Sequence, residues 1–489
     1  MNEKITVNHF PGNAGGGDTG KIFGSENTVL MNTPFRGFDK IDEVYFLGIG
    51  GIGMSAIARF FFLHGVKVSG YDKTVTALTR ELEKSGIAVH YDEDIGKIPG
   101  NPDLVVYTPA IPGDHKELVF YQGKGVKVMK RSEVLQIITE SSFNICIAGT
   151  HGKTTITTMV AHLLRDSGFG CNAFLGGISV NYGTNFWSSE RNVCVIEADE
   201  YDRSFLKLDP DVAVVTAMDA DHLDIYGTAE AVKEAFVDFS RRVKKGGLLL
   251  SNHNLERGKE MKADTHWTYS LQDENADIHA KNIRMLDGAY EFDVVLKHNR
   301  LDKVKLNMGG MHNVENAIAA IAVASSLGIE NEKIRKSLDS FRGVKRRFEY
   351  IIKTDRLIFI DDYAHHPEEL KALIRGAKSL FRDKPCTIVF QPHLYTRTRD
   401  LADDFAESLN LADHVWLLPI YPARELPIEG VSSHLIAEKM ETGKVQVIER
   451  EKLVDVLQKA YKKNQLGVLV TAGAGDIDML IEPIKESLK

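Results

Sequence analysis

The sequence predicts an α/β protein built from three successive units. Short apolar runs alternate with amphipathic stretches along most of the chain, and that alternation restarts twice after charged or polar junctions. A length of 489 residues also exceeds one ordinary domain. The expected divisions are a disordered leader at 1–40, then units at 41–140, 141–343 and 344–489.

Composition narrows the function classes. Hydrophobic residues at 43% and charged residues at 26% describe a globular chain with enough apolar material for several cores. A net charge of -8 argues against a bulk nucleic-acid or membrane binder, although local basic pockets for small anions remain compatible with it. The four cysteines are scattered without a CxxC pair, so neither a disulfide framework nor a zinc site is indicated, as suits a reducing cytoplasm. Cys146 and Cys194 sit in apolar runs and read as buried strand thiols. No signal peptide and no uninterrupted apolar stretch of membrane-spanning length is present. The leader ("PGNAGGGDTG") lacks hydrophobic periodicity, which predicts disorder, with Met31 as an alternative translation start.

The first unit opens on "EVYFLGIGGIGMSAIARFFFLHG", a strand, a glycine turn and a helix, followed by strands in "KVSGYD", "DLVVYTPAI" and "KVMK". Gly48, Gly50, Gly51 and Gly53 let backbone approach a diphosphate at a helix N-terminus, and Asp72 ends the next strand where a ribose hydroxyl would sit. A nicotinamide-dependent oxidoreductase, or a plain tight turn, would show much the same loop.

The second unit carries "IAGTHGKTT", a variant phosphate loop. The usual spelling places a glycine five positions before the glycine–lysine pair, and Ile147 stands there instead. The apolar run "NICIA" before it and the helical "TITTMVAHLLRDSG" after it nevertheless supply the strand–loop–helix context. Lys153 is expected to meet the β- and γ-phosphates of ATP, and the Thr154 hydroxyl to ligate Mg²⁺. Oxygen ligands for that ion are expected at neighbouring strand ends, where "VIEADEYD" offers Glu197, Asp199 and Glu200 and "TAMDADHLDIYG" offers Asp219, Asp221, His222 and Asp224. Hairpins appended to this unit are expected from "ADIHAKNIRMLDG" to "VKLNM", before an alanine-rich helix "NVENAIAAIAVASSLGI".

"KRRFEY" places Lys345, Arg346 and Arg347 at the junction with the third unit, either as a solvated charge run or as cations that reach a phosphate across a closing cleft. Strand-like runs "RLIFIDDYAHHP", "CTIVFQPH", "HVWLLPIY", "KVQVI" and "GVLVTAGAG" follow. Their ends offer Asp362, His365, His366, His393, Arg397 and Arg399, of which His366 and His393 are equally readable as capping or core residues.

From about residue 41 onward the chain resembles the Mur ligases, through "GIGGIGM", "GTHGKTT", "EADEYD", "DADHLD", "HNVENAIAA", "GVKRRFE", "DDYAHHP", "QPHLYTRT" and "AGAGDI" in that order. The resemblance implies a Rossmann-like first domain, a central P-loop ATPase domain and a Rossmann-like third domain. It also implies an ATP- and Mg²⁺-dependent ligation of L-alanine to the lactyl carboxylate of UDP-N-acetylmuramate through an acyl phosphate. These would be small-molecule partners in the cytoplasm, with a monomer or homodimer as the working form. By that resemblance Gly48, Gly50, Gly51, Gly53, Met54 and Asp72 serve the sugar nucleotide. ATP falls to Gly149, Thr150, His151, Gly152, Lys153, Thr154 and Thr155, with His312, Asn313, Asn316, Arg347 and Asp362. Thr154, Glu197 and His222 serve the metal, while His365 and Arg397 face the amino acid. Two departures stand out: Leu394 occupies a position that is often arginine in the family, and the leader has no family counterpart. A ligase that attaches a ready-made tripeptide is the nearest rival. An oxidoreductase leaves the phosphate loop and both acidic strand ends unused, and a non-catalytic nucleotide-binding module does not account for every expected catalytic position being filled.

Overall fold

A computed structural model describes residues 22–33, 35, 38, 40–219, 223–286, 288–423 and 425–489. Three sheets organise the described residues. The first is all parallel, in the spatial order Ala88–His90, Lys67–Tyr71, Glu43–Leu47, Leu104–Tyr107 and Val128–Lys130.

The central sheet has ten strands. Its parallel middle is built on Phe143–Ala148, flanked by Val193–Glu197 on one side and Val212–Val215 on the other. All six residues of Phe143–Ala148 are buried, as expected of a strand covered by helices on both faces. The expected hairpins are not a separate appendage. Ile278–Leu286 pairs in parallel with Thr265–Ser270 and antiparallel with Ala289–Val295, which pairs in turn with Arg300–Leu306. The meander therefore prolongs the central sheet.

The third sheet runs Glu349–Lys353, Ile358–Asp362, Val468–Ala472, Cys386–Phe390, His414–Leu417 and Val445–Val447. Only its first strand is antiparallel. In all three sheets the parallel strands deliver their C-terminal loops to one edge, where doubly wound folds place ligands.

The units are joined at specific points. The Asn185 amide donates to Ile52 O at 2.6 Å and Ser55 Oγ at 2.9 Å, tying the helix Ile52–Leu63 of the first unit to the central unit. The linker into the third unit is strapped on both sides. Lys345 N donates to Ile178 O at 2.8 Å, and Phe348 N donates to Asp362 Oδ2 at 2.6 Å. Arg346 and Phe348 hold φ of 59° and 50°, a left-handed backbone that non-glycine residues adopt only when the surroundings enforce it.

The four cysteines are buried and free, and burial pushes their thiols above the ordinary range. No described helix is long and apolar enough to cross a membrane.

One expectation is corrected. The leader at 1–40 was expected to be disordered, yet Ser25–Asn32 forms a helix that packs on the central unit. Phe23 and Met31 are buried, and the Phe23 ring meets Phe143 edge-on at 5.0 Å. Asn192 N donates to Met31 O at 2.9 Å and Ile22 N to Ser326 O at 3.3 Å. Two apolar anchors eight residues apart, in a Gly- and Asn-rich setting, leave no periodic signal in the sequence. Removing residues 1–33 is therefore expected to lower the melting temperature by about 5 °C, since each buried anchor contributes about 2 kcal/mol. Differential scanning calorimetry of the truncated chain checks this, and an unchanged transition would show the helix to be dispensable.

Candidate functional site

The phosphate loop is shaped by what surrounds it. Gly149 has φ +131°, and a Cβ there would lie 2.0 Å from Thr216 Oγ1 and 2.8 Å from Ala217 N. Gly152 has φ +79°, and a Cβ there would lie 2.8 Å from Asn316 Oδ1. Neighbouring backbone pins the turn, through Thr150 N to Ala217 O at 3.1 Å and Thr216 Oγ1 to His151 O at 2.5 Å. His151 stays exposed, with Nε2 3.5 Å from Asp219 Oδ2. The following helix, Lys153–Asp166, has no side-chain cap, so its first N–H groups point outward at a natural anion position. Thr155 is buried in its first turn.

Thr154 is the meeting point. Its hydroxyl donates to Glu197 Oε1 at 3.0 Å and accepts from Arg347 Nη2 at 3.4 Å. The other Glu197 oxygen accepts from Gly176 N at 3.1 Å. Burial raises the Glu197 carboxyl above its ordinary value, against the opposing pull of Lys153 and Arg347. A desolvated carboxylate beside a hydroxyl suits a hard cation, and Mg²⁺ takes only one or two protein oxygens, completing its shell with water and phosphate. Among the described residues no group of three or more His, Cys, Asp or Glu side chains is placed to hold a metal. His222, expected as a ligand, and Asp221 lie outside the described residues.

At the start of the helix Met311–Ser326, Asn313 Nδ2 donates to Gly309 O at 2.7 Å and Asn316 Nδ2 to Asn313 Oδ1 at 3.1 Å. His312 is exposed on the same turn. The structure thus brings Asn316 against the phosphate loop, with Asn313 behind it.

In the first unit a cavity of about 980 Å³ opens beside the glycine loop. Gly48, Gly51, Gly53, Met54 and Asp72 line it, and so does Glu197 from the central unit. Gly50 does not. A Cβ on Gly50 would fall 2.5 Å from Thr79 Cγ2, and its N–H is taken by Asp72 Oδ2 at 2.8 Å. The other Asp72 oxygen accepts from Thr74 N at 3.1 Å. A Cβ on Gly51 would meet nothing nearer than Gly48 O at 3.4 Å, and Gly51 faces the cavity. Arg131 closes one wall, 4.0 Å from Asp199 and against Gly53. The sequence reading missed Arg131, a cation in an amphipathic helix with no motif around it.

The third unit gathers its own cluster. Asp362 accepts from Phe348 N and Ala364 N, and burial pushes its carboxyl up to about 6. The rings of His365 and His393 lie 6.4 Å apart, and His393 stacks on Tyr421 at 5.7 Å. Burial first, then the charge of Arg397, holds both imidazoles below their ordinary range. Arg397 Nη1 and His393 Nδ1 are buried without a hydrogen-bond partner among the described residues. His366 caps the helix Pro367–Leu380, and Arg399 is paired with Asp400 at 2.7 Å on the surface. Neither belongs to the cluster. Every residue lining the 980 Å³ cavity comes from the first two units, so His365 and Arg397 stand apart from it.

Three family models match the chain: "Mur ligase family, catalytic domain" at residues 43–142, "Mur ligase middle domain" at 147–324, and "Mur ligase, glutamate ligase domain" at 346–475. The UDP-N-acetylmuramate–L-alanine ligase of Phocaeicola vulgatus is 47% identical over 452 residues, covering 91% of this chain and 97% of its own. The enzyme of the same name from Parabacteroides distasonis is 47% identical over 457 residues, covering 92% and 98%. Among solved structures, the UDP-N-acetylmuramate–alanine ligase of Thermotoga maritima superposes with a TM-score of 0.76 at 29% identity, over 91% of this chain and 98% of that one. A murein peptide ligase from Psychrobacter arcticus gives a TM-score of 0.62 at 23% identity over 91% and 98%, a likeness of fold.

Proposed function

The chain belongs to the Mur ligase family, and on that premise we propose how its residues divide the joining of L-alanine to UDP-N-acetylmuramate by ATP. The reaction yields UDP-N-acetylmuramoyl-L-alanine for peptidoglycan synthesis, with ADP and phosphate released.

A carboxylate has no leaving group that an amine can displace. The lactyl carboxylate therefore attacks the γ-phosphorus of ATP, breaking the bond to the β-bridging oxygen and forming an acyl phosphate. The neutral amine of alanine then attacks the acyl carbon, the C–O bond breaks, and phosphate departs. Lys153, and Arg347 beside Thr154, bear on the phosphates, and the uncapped helix start adds its dipole. Thr154 and Glu197, with His222 as the further expected ligand, would hold Mg²⁺, which would supply charge stabilisation at the transferring group. Asn313, Asn316 and His312 serve the nucleotide, with Asp362 fixing the linker that carries Arg347. The glycine loop and Asp72 hold the uridine diphosphate part, and His365 and Arg397 receive alanine.

One observation carries this division: a single cavity is lined both by the diphosphate-type loop of the first unit and by Glu197, which touches the phosphate-loop threonine. A sugar nucleotide seated there directs its far end at the transferring phosphate. The amino-acid cluster lies outside that cavity, so closure of the third unit about its strapped linker brings alanine in and keeps water from the acyl phosphate. The free buried thiols and the need for ATP support a reading of the enzyme as cytoplasmic. Phosphate release from ATP tests the reading. It should require UDP-N-acetylmuramate together with L-alanine, and release driven by a tripeptide in place of alanine would transfer the chain to the rival activity.

A further inference from the structure

Lys153 is already engaged. Its ammonium donates to Gly149 O at 2.7 Å and to Glu200 Oε1 at 2.8 Å, and the two side chains are 14% and 1% exposed. The sequence grouped Glu200 with Glu197 and Asp199 as a candidate metal ligand, but the structure turns it to the lysine. Its carbonyl accepts from the Tyr226 hydroxyl at 2.7 Å and from Arg203 N at 2.9 Å, which anchors the residue from behind. Arg203 and the preceding Asp202 both hold φ of 54°, so the backbone bends sharply to aim Glu200 inward. Oε2 is buried and meets no donor among the described residues. A carboxylate so desolvated depends on its cation.

We propose that Glu200 is a positioning residue for the ligation: a fixed counter-anion that places the Lys153 ammonium and competes with the nucleotide phosphates for it. This rests on the assignment of Lys153 to ATP. Two anions sharing one ammonium in a water-poor site repel each other, so phosphates meet a lysine whose charge is already partly offset. Binding is weaker than the loop alone would allow, while the lysine needs no ordering when phosphate arrives. When ADP leaves, Glu200 takes back the full ammonium charge, which favours release.

Calorimetry with the β,γ-imido analogue of ATP tests this, with AMP as the control that lacks the phosphates Lys153 would meet. Glu200→Gln keeps an acceptor for the ammonium and removes the negative charge. The variant should bind the triphosphate about tenfold more tightly and AMP unchanged, with kcat reduced by slower ADP release. Unchanged or weaker triphosphate binding overturns the proposal, and equal loss for both nucleotides marks Glu200 as merely structural. Should the glutamine variant not fold, Glu200→Asp withdraws the carboxylate by one methylene, and the absence of any tightening there overturns it equally. Lys153→Ala separates the two layers. If it weakens the triphosphate while Glu200→Gln changes nothing, the ATP assignment stands and this inference falls. If Lys153→Ala leaves the triphosphate unaffected, both fall.

Discussion

Lys153→Ala is expected to lower the ligation rate by about a thousandfold or more, because on the proposed assignment it removes a cation that offsets charge on the transferring phosphate. The structure adds a complication that the sequence could not show. Glu200, 1% exposed, loses its ion partner in this variant. Stranding a buried charge costs on the order of 3 kcal/mol, so the alanine variant should also melt earlier. Activity lost through unfolding must be separated from activity lost through chemistry. The double variant Lys153→Met with Glu200→Gln removes both charges, and should regain most of the melting temperature without regaining activity. Steady-state ligation beside thermal denaturation of both variants gives the answer. Near wild-type turnover in either would remove Lys153 from the reaction.

Arg397→Ala should raise the Michaelis constant for L-alanine by about a hundredfold while changing that for ATP by about twofold at most. The acceptor must arrive with its carboxylate held, so that its amine is free to attack. Arg397 has the means. Its Nη1 is buried with no hydrogen-bond partner among the described residues, beside two imidazoles whose positive form its charge disfavours. Leu394 cannot share the task. It caps the helix Tyr395–Asp400 with φ 71°, a backbone strain for which its side chain supplies no polar compensation. Arg397→Lys should recover only part of the loss, since a point charge lacks the planar fork that binds both carboxylate oxygens. Kinetics with alanine and ATP varied separately decides it. An unchanged constant for alanine would move the clamp to another residue, and Arg399, exposed and paired with Asp400, is poorly placed to take it. Arg424 falls outside the described residues.

Much of this was legible in the sequence because strands of parallel sheets are unbroken apolar runs and glycine turns punctuate them. "NICIA" and "NVCVIE" fall on strands whose burial is complete or nearly so. What escaped was non-periodic or non-local. The three-residue strand Ala88–His90 is too short to show a pattern, and the helix carrying Phe23 and Met31 holds on by two side chains. Arg131 escaped, and Glu200 was grouped with the metal ligands rather than with Lys153, for a different reason: a charged residue looks alike on a solvated face and in a site, and only its partners distinguish them. Thr154 with Glu197 was foreseeable from strand-end logic, whereas Lys153 with Glu200 required the bend at Asp202 and Arg203.

The wall behind Gly149 bears on how this loop tolerates genetic change. A lost glycine is sometimes rescued by a second substitution that trims whatever the new side chain strikes. Here the obstruction includes the peptide nitrogens of Thr216 and Ala217, at 2.9 and 2.8 Å from the position a Cβ would take. No substitution at either neighbour moves a main-chain atom out of the way, and the positive φ adds its own penalty to any side chain. A suppressor screen started from Gly149→Ala should therefore return reversion to glycine and little else. The position is a dead end for compensatory evolution, closed by the fold before the demands of catalysis are considered.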